Sequence, residues 1–368
     1  MTDQTYSVGT WQLNELYSSF DDSSIDSSLE DLEASLNEFE AYRDQLEKDL
    51  DTETFQQILK DYEAMDRLES RLSGYAMLRF SEDTQNQRAQ TFQAKIQQRS
   101  AEIRNRTLFF RLWWKGLEEE RAQKLLETAG DYRYWLEALR LQSPYTLSES
   151  EEKIINIKDV NGASALMTLY SSITNRYSFE LEVKGEKLEL TRGELAKYVW
   201  GSDPALRKAA YEELHGVYGE DSPILGQIYQ FRVRDWHSEH VELRGYSSPI
   251  AVRNLSNDIP DEVVDTLLEV SRQNASLFQD FFKLKADWLG MDRLRRYDLY
   301  APVAEADKDY EYDEAVQLVL DSYGRFDPEV AELAGRVLAE GHVDSEVRKG
   351  KRSGAFCATI SPDLTPYI

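Results

Sequence analysis

Apolar residues along the first 143 positions recur at helical spacing, not strand spacing. Leu29, Leu32, Leu36, Phe39, Leu46 and Leu50 fall three, four or seven apart. That is the stripe of a helix packed lengthwise on another. Asp21-Asp22-Ser23-Ser24, just before it, supplies N-cap candidates. Further periodic stretches run from about Thr54 to Phe80, from about Asp83 to Trp114, and across 118–145. Residues 1–143 hold no proline and only four glycines, so long unbroken helices are allowed there. The pattern predicts a helical N-terminal region over 1–147.

The period then changes. Phe179, Leu181 and Val183 alternate with polar residues, Lys184-Gly185-Glu186 follows, and Leu188 and Leu190 resume the alternation. This predicts a β-hairpin near 177–191. Thr191, with Glu194 three residues on, reads as a capping box opening the next helix. Asp203-Pro204 and Asp327-Pro328 each read as an N-cap followed by proline at the first helical position. Between them the spacing predicts one helix from about Ser222 to Leu243, with Ile224, Ile228 and Phe231 on one face. A second, opened by Pro260, carries Val264, Leu267, Leu277, Phe281, Leu284 and Trp288 and ends at Gly290. Residues 297–303 (YDLYAPV) are expected to be extended, because the residue before a proline avoids the helical region. A last extended segment starts near His342. The fold class is therefore mainly α with one small hairpin, divided into 1–147 and 148–368.

Composition narrows the partners. Hydrophobic residues make up 41% of the 368-residue chain, enough for a substantial core, and the formal charge is −25. That charge argues against nucleic acid or an anionic membrane surface as partner. The single cysteine, Cys357, excludes an internal disulfide and a thiolate zinc site. The opening MTDQTYSVGTWQLNELY has neither a basic n-region nor an apolar h-region. No run approaches the ~18 apolar residues of a membrane span. The chain reads as cytoplasmic.

Site motifs are mostly wanting. No GxGxxG, GxxxxGK[ST] or GxSxG occurs. Asp235-Trp236-His237-Ser238-Glu239-His240 places two histidines three apart on one helix face. Zinc sites of this style favour a spacing of four and a third ligand from elsewhere, so a solvated helix end competes with the metal reading. No residue is assigned as catalytic or as a metal ligand. Phe109, Phe110, Trp113 and Trp114 suit either a ligand platform or an anchor between the bundle and the rest of the chain.

Three stretches, taken in order, change this picture: RGYSSPIAVRN (244–254), YDLYAPV (297–303) and RKGKRSGAF (348–356) leading to PYI (366–368). Together with Trp11, Leu13, Leu16 and Tyr17 near the start, they resemble the oligoendopeptidase F and thimet oligopeptidase group of zinc metallopeptidases. The resemblance covers the whole chain. It implies a two-lobed helical channel that admits short peptides, with the N-terminal helices forming part of one wall. It implies that an HExxH zinc helix and a later glutamate ligand follow PYI, so that the C-terminal part of the catalytic lobe is missing and the chain alone binds no zinc and is inactive. It implies that Arg352, Ser353, Gly354, Ala355 and Phe356 contact substrate. A core strand with a basic flank is the plainer reading of that segment. Cys357 beside it is expected to be small and buried. An apolar face left uncovered is a further expectation, and the missing half is a candidate partner. A non-catalytic helical peptide-binding or scaffold protein is the alternative function.

Overall fold

The computed structural model describes residues 5–46, 50–304 and 309–368. Helix α1 (Ser23–Glu40) starts where the Asp22 carboxylate accepts the Ser24 N–H. α2 (Thr52–Glu82) starts at Asp51, and α3 (Gln87–Gly116) at Asn86. Each cap satisfies backbone N–H groups that the first turn leaves open. Shorter helices α4 (Glu119–Leu126) and α5 (Arg133–Leu141) complete the N-terminal bundle. α3 is its axis, packed against α1, α2 and α5 on one side and the later chain on the other.

The expected α1 stripe stops short. The helix ends at Glu40, and Leu46 and Leu50 pack on the core from the connection that follows, so they are not part of the helix. Leu32, Leu36 and Phe39 are fully buried against Phe55, Ile58, Phe110 and Trp114. The aromatic cluster turns out to be internal to the bundle and does not anchor it to the remainder. Phe39 meets Phe109 and Phe110 at 5.5 and 6.0 Å, Trp114 stacks on Phe55 at 5.6 Å, and its indole N–H donates to the Leu136 carbonyl at 2.8 Å. It is no ligand platform either, since Phe110 and Trp114 are closed off from solvent.

A long helical passage follows: α6 (Glu149–Asp159), a π-helical turn at Val160–Ser164, and α7 (Ala165–Thr174). The hairpin lies as expected. β1 (Phe179–Val183) pairs antiparallel with β2 (Glu186–Leu190), with Leu181 opposite Leu188. Lys184 and Gly185 turn it at φ 52° and 87°, the positive-φ pair of a type I′ turn. Thr191 and Glu194 make the reciprocal capping box of α8 (Arg192–Val199). Phe179 and Leu181 form a small second core with Leu195 of α8 and Ala210 of α9 (Pro204–Glu220). Inside this region Arg207 is buried on Asp298 at 3.0 Å and donates to the carbonyls of Gly201 and Ser202.

The predicted helix 222–243 is α10 (Ser222–Trp236) continued by a second π-helical turn, His237–Leu243. α11 (Pro249–Ser256) follows. The predicted 260–288 helix is two, α12 (Asp261–Gln273) and α13 (Ala275–Trp288), broken at Asn274. Their stripes are largely uncovered: Leu267, Leu277, Phe281 and Trp288 are all exposed, as are Ile224 and Phe231 of α10, and only Ile228 is buried. The expected extension does not start at Tyr297: residues 296–300 are turned. Arg296–Asp298 forms a 3-10 turn because the Asp298 carboxylate accepts the Arg295 N–H and the Arg207 guanidinium. α14 (Tyr312–Phe326) and α15 (Pro328–Ala339) pack on each other, the latter capped by Asp327.

Residues 342–368 contain no helix and return to the N-terminal bundle. His342 is buried, with Nε2 2.7 Å from Glu15 and Nδ1 against Thr365, and it stacks on Tyr367 at 4.0 Å. The Tyr367 hydroxyl donates to Glu15 and the Trp11 indole donates to the Ile368 carbonyl. Ile360 and Tyr367 belong to the same core as α1–α3.

Candidate functional site

The segment after Lys351 is held at a few points and open elsewhere. The Arg352 N–H donates to the Ser81 carbonyl at 2.9 Å, and the Ser353 N–H to Asn175 Oδ1 at 3.3 Å. The Arg352 guanidinium lies 5.6 Å above the Phe356 ring, which itself packs on Trp11. Gly354 sits at φ 98° with no atom within 4 Å of the place a Cβ would take. That backbone conformation favours glycine, and another chain can approach it closely. Ser353, Gly354 and Ala355 are exposed. Cys357 is exposed too, not buried as expected.

Beyond Cys357 the chain runs extended along α2. Ala358 and Tyr367 exchange both backbone hydrogen bonds, at 2.8 and 2.9 Å. Successive residues of an extended chain direct their N–H and C=O groups to opposite edges. The backbone groups of Cys357 and Thr359 therefore point away from Tyr367, and among the described residues no backbone hydrogen bond reaches them. The position of this edge is set by Gly74. A Cβ on that residue would lie 2.6 Å from both Cδ1 and Cγ2 of Ile360, so only glycine lets α2 and the segment approach this closely.

Ala358, Thr359 and Ile360 form one wall of a cavity of roughly 520 Å³. α2 lines it with Glu69, Ser73 and Gly74, and α3 with Gln93, Gln97, Ser100 and Arg104. Val160 and Ser164 of the first π-helical turn close it. Burial pushes the Glu69 carboxyl up, partly offset by the Ser100 hydroxyl that donates to it. Arg104 is shared with a second cavity of roughly 280 Å³ farther along α3, lined by Thr107, Leu108, Arg111 and Lys115. The opposite wall holds Tyr145, Glu152, Arg244 and Tyr246, with Glu239 and His240 of the second π-helical turn. Positions 93, 97, 100, 104, 107, 108, 111 and 115 are three or four apart, or neighbours on one face, so a single stripe of α3 floors both cavities. One π-helical turn borders each cavity, and Arg104 lies between the two. Such turns recur at functional sites because the widened turn re-aims side chains.

The expected 352–356 segment lies beside the first cavity, and Arg111 and Lys115 line the second. Their signal was present in the sequence: two cations four apart inside LFFRLWWK, and a third, Arg104, seven residues before the first. The aromatic residues between them drew the reading toward packing.

The four histidines sit in different surroundings. Among the described residues no three His, Cys, Asp or Glu side chains group as donors. His237 is exposed and pairs with Glu242 at 3.4 Å. His240 has its Nδ1 buried without a hydrogen-bond partner, 4.0 Å from Glu239, and burial lowers its basicity. The π-helical turn leaves the two rings in different surroundings. His342 is committed to Glu15 and Thr365, and His215 packs on Tyr211.

Two family models match the chain: peptidase family M3 over residues 200–366 and oligopeptidase F over 113–179. Among curated proteins, the group B oligopeptidase PepB of Streptococcus agalactiae is 28% identical over 77% of this chain and 48% of its own length. The chromosomal oligoendopeptidase F of Lactococcus lactis subsp. cremoris is 26% identical over 94% of this chain and 58% of its own. This chain thus spans about half the length of these relatives. In fold it is similar to the oligoendopeptidase-F crystal structure from Enterococcus faecium, with a TM-score of 0.69 at 19% identity, covering 87% of this chain and 66% of that one. A structure of PZ peptidase A with an inhibitor gives a TM-score of 0.73 at 17% identity, covering 90% and 57%.

Proposed function

We propose, taking as premise that the chain belongs to the oligoendopeptidase F family within peptidase family M3, that it forms the peptide-binding part of an oligopeptide hydrolase. The observation that carries this reading is the free edge at Cys357 and Thr359, open to a groove floored by α3. An extended peptide adds to such an edge as a further strand, gaining main-chain hydrogen bonds whatever its sequence. Arg352, Ser353, Gly354, Ala355 and Phe356 continue the edge. Gly354 offers open backbone and Arg352 a cation for a substrate carbonyl or carboxylate.

The reading assigns zinc, as activator of the attacking water, to the longer family protein and none to this chain. The 368 residues alone are then a binder without turnover. The substrate class is short unfolded peptides, whose main-chain groups are free to pair along the edge. None of the described helices is long and apolar enough to cross a membrane, and a cytoplasmic site of action accords with this reading. In the alternative, a non-catalytic peptide holder, the groove is the whole function. An HExxH helix encoded within a few tens of codons past Ile368 favours the hydrolase, and its absence favours the holder.

The test is to incubate the chain with a quenched fluorescent nonapeptide and zinc. The expected result is saturable binding with no cleavage. Chelator-sensitive cleavage overturns the inactivity, and failure to bind overturns the groove.

A further inference from the structure

We infer that the inner end of the α3 groove holds the C-terminal carboxylate of a bound peptide, with Arg111 and Lys115 as its donors. This rests on the groove reading above and adds an end to it.

Many cations in this molecule pair with carboxylates, in a chain with 68 acidic and 43 basic residues. Arg106 is bound by Glu33 and Glu40, and Arg43 by Glu149. Within the same 280 Å³ cavity, Arg244 holds Glu152 at 2.7 Å and Glu239 at 2.8 Å. Arg111 lies outside these pairs. Its Nε is buried with no hydrogen-bond partner, and no ion pair joins its guanidinium to a carboxylate among the described residues. Lys115, one turn on, donates to the neutral oxygens of Gln142 at 3.4 Å and Thr146 at 3.3 Å, and feels the Glu152 charge without an ion pair among the described residues. Burial brings its ammonium down to about 8, and Arg111 adds to that effect. Two like charges four apart on a helix repel, and a buried donor without an acceptor is costly. Asp66 on α2 faces Arg111 without pairing, its own carboxyl pushed up by burial and drawn down by Arg111.

The cavity lining carries Arg104, Arg111, Lys115 and Arg244 with two carboxylates, Glu152 and Glu239, both ion-paired to Arg244, while Asp66 faces Arg111 from outside the lining. A small anion would relieve Arg111 and Lys115 together. The stacked rings of Tyr145 and Tyr246, 3.7 Å apart, wall the space and suit the apolar part of a terminal residue. The groove delivers a carboxylate there. From Ser100, opposite Ile360, to Lys115 the α3 stripe rises about 22 Å. That is the span of roughly six to seven extended residues. A peptide paired along Cys357 and Thr359 thus reaches the cations with its end.

The experiment compares one nonapeptide without acidic side chains, fluorescein-labelled at its N-terminus, as free acid and as C-terminal amide. Both are titrated with the 368-residue chain and followed by anisotropy. The acid is expected to bind at least about tenfold tighter, the scale of a charge-assisted hydrogen bond. In Arg111→Gln/Lys115→Met the ratio of acid to amide affinity is expected to fall to about one. Arg111→Lys/Lys115→Arg, which keeps both charges, should retain a preference for the acid and shows that the fold survives change at these sites. Equal binding of acid and amide by the unaltered chain sinks the carboxylate assignment and leaves the groove standing. A preference that persists in the neutral double variant also sinks it. Binding of neither peptide removes the groove and this inference with it.

Discussion

Helices α2 and α13 have comparable apolar stripes and opposite fates. In α2, Phe55, Ile58, Leu59 and Leu72 are buried under α1, α3 and the chain's last segment. In α13, Leu277 is 66% and Trp288 56% exposed. Amphipathic pattern sets where a helix forms and which face wants cover. It does not say whether that cover lies within the same 368 residues. The N-terminal bundle is covered within this chain, by its own helices and by residues 356–367, while α10 to α13 present a face that no described element covers.

The sharpest test of this contrast pairs two tryptophans. Trp114→Ala removes a fully buried ring and its hydrogen bond to Leu136, and is expected to cost about 4 kcal/mol in urea unfolding. Trp288→Ala should change stability by no more than about 0.5 kcal/mol. Equal losses would break the comparison. Arg207→Met comes next. It strands Asp298, whose side chain is fully buried, at an expected cost of about 3 kcal/mol, and Arg207→Met/Asp298→Leu should recover most of it. This locates firm structure outside the bundle, beside the exposed helices.

Gly74→Val acts where the two ends of the chain meet. The new side chain displaces Ile360, with an expected loss of about 2 kcal/mol. Amide exchange should rise in residues 356–360 and peptide binding should weaken, while α12 and α13 exchange as before. The smallest effect concerns the Arg43–Glu149 pair, which ties the bundle to α6. Arg43, then Lys153, hold the Glu149 carboxyl down at about 2. A depressed carboxyl stabilises the fold above its unfolded value, near 4.3, and the gain is lost as pH falls toward 2. Both groups are partly solvated, so the advantage over Glu149→Gln at pH 7 is expected below about 1 kcal/mol. It should vanish by about pH 2 in parallel denaturation curves.

Features written in neighbouring residues were legible in advance. The Thr191–Glu194 box, the caps at Asp203 and Asp327, and the Lys184-Gly185 turn all form as their local chemistry requires. What distant residues decide was not. The 3-10 turn at Arg296–Asp298 depends on Arg207, about 90 positions earlier. The break at Asn274 and the end of α1 at Glu40 interrupt stripes whose spacing alone would continue. Of the site, 352–356 was marked by resemblance. Arg111 and Lys115 acquire meaning only when α3 is seen to floor a cavity walled by residues 145–152 and 239–246. The exposure of Cys357 follows from the one-sided pairing of Ala358, a contact made with residue 367.

The stripe of α3 offers a side chain once per helical turn, about every 5.4 Å. An extended peptide presents same-face side chains about every 6.6 Å. Two rulers with such different graduations coincide at one mark and then drift apart, so no repeating set of side-chain preferences can be read along the groove. A degenerate peptide library should enrich few residues at interior positions and be sorted instead by length.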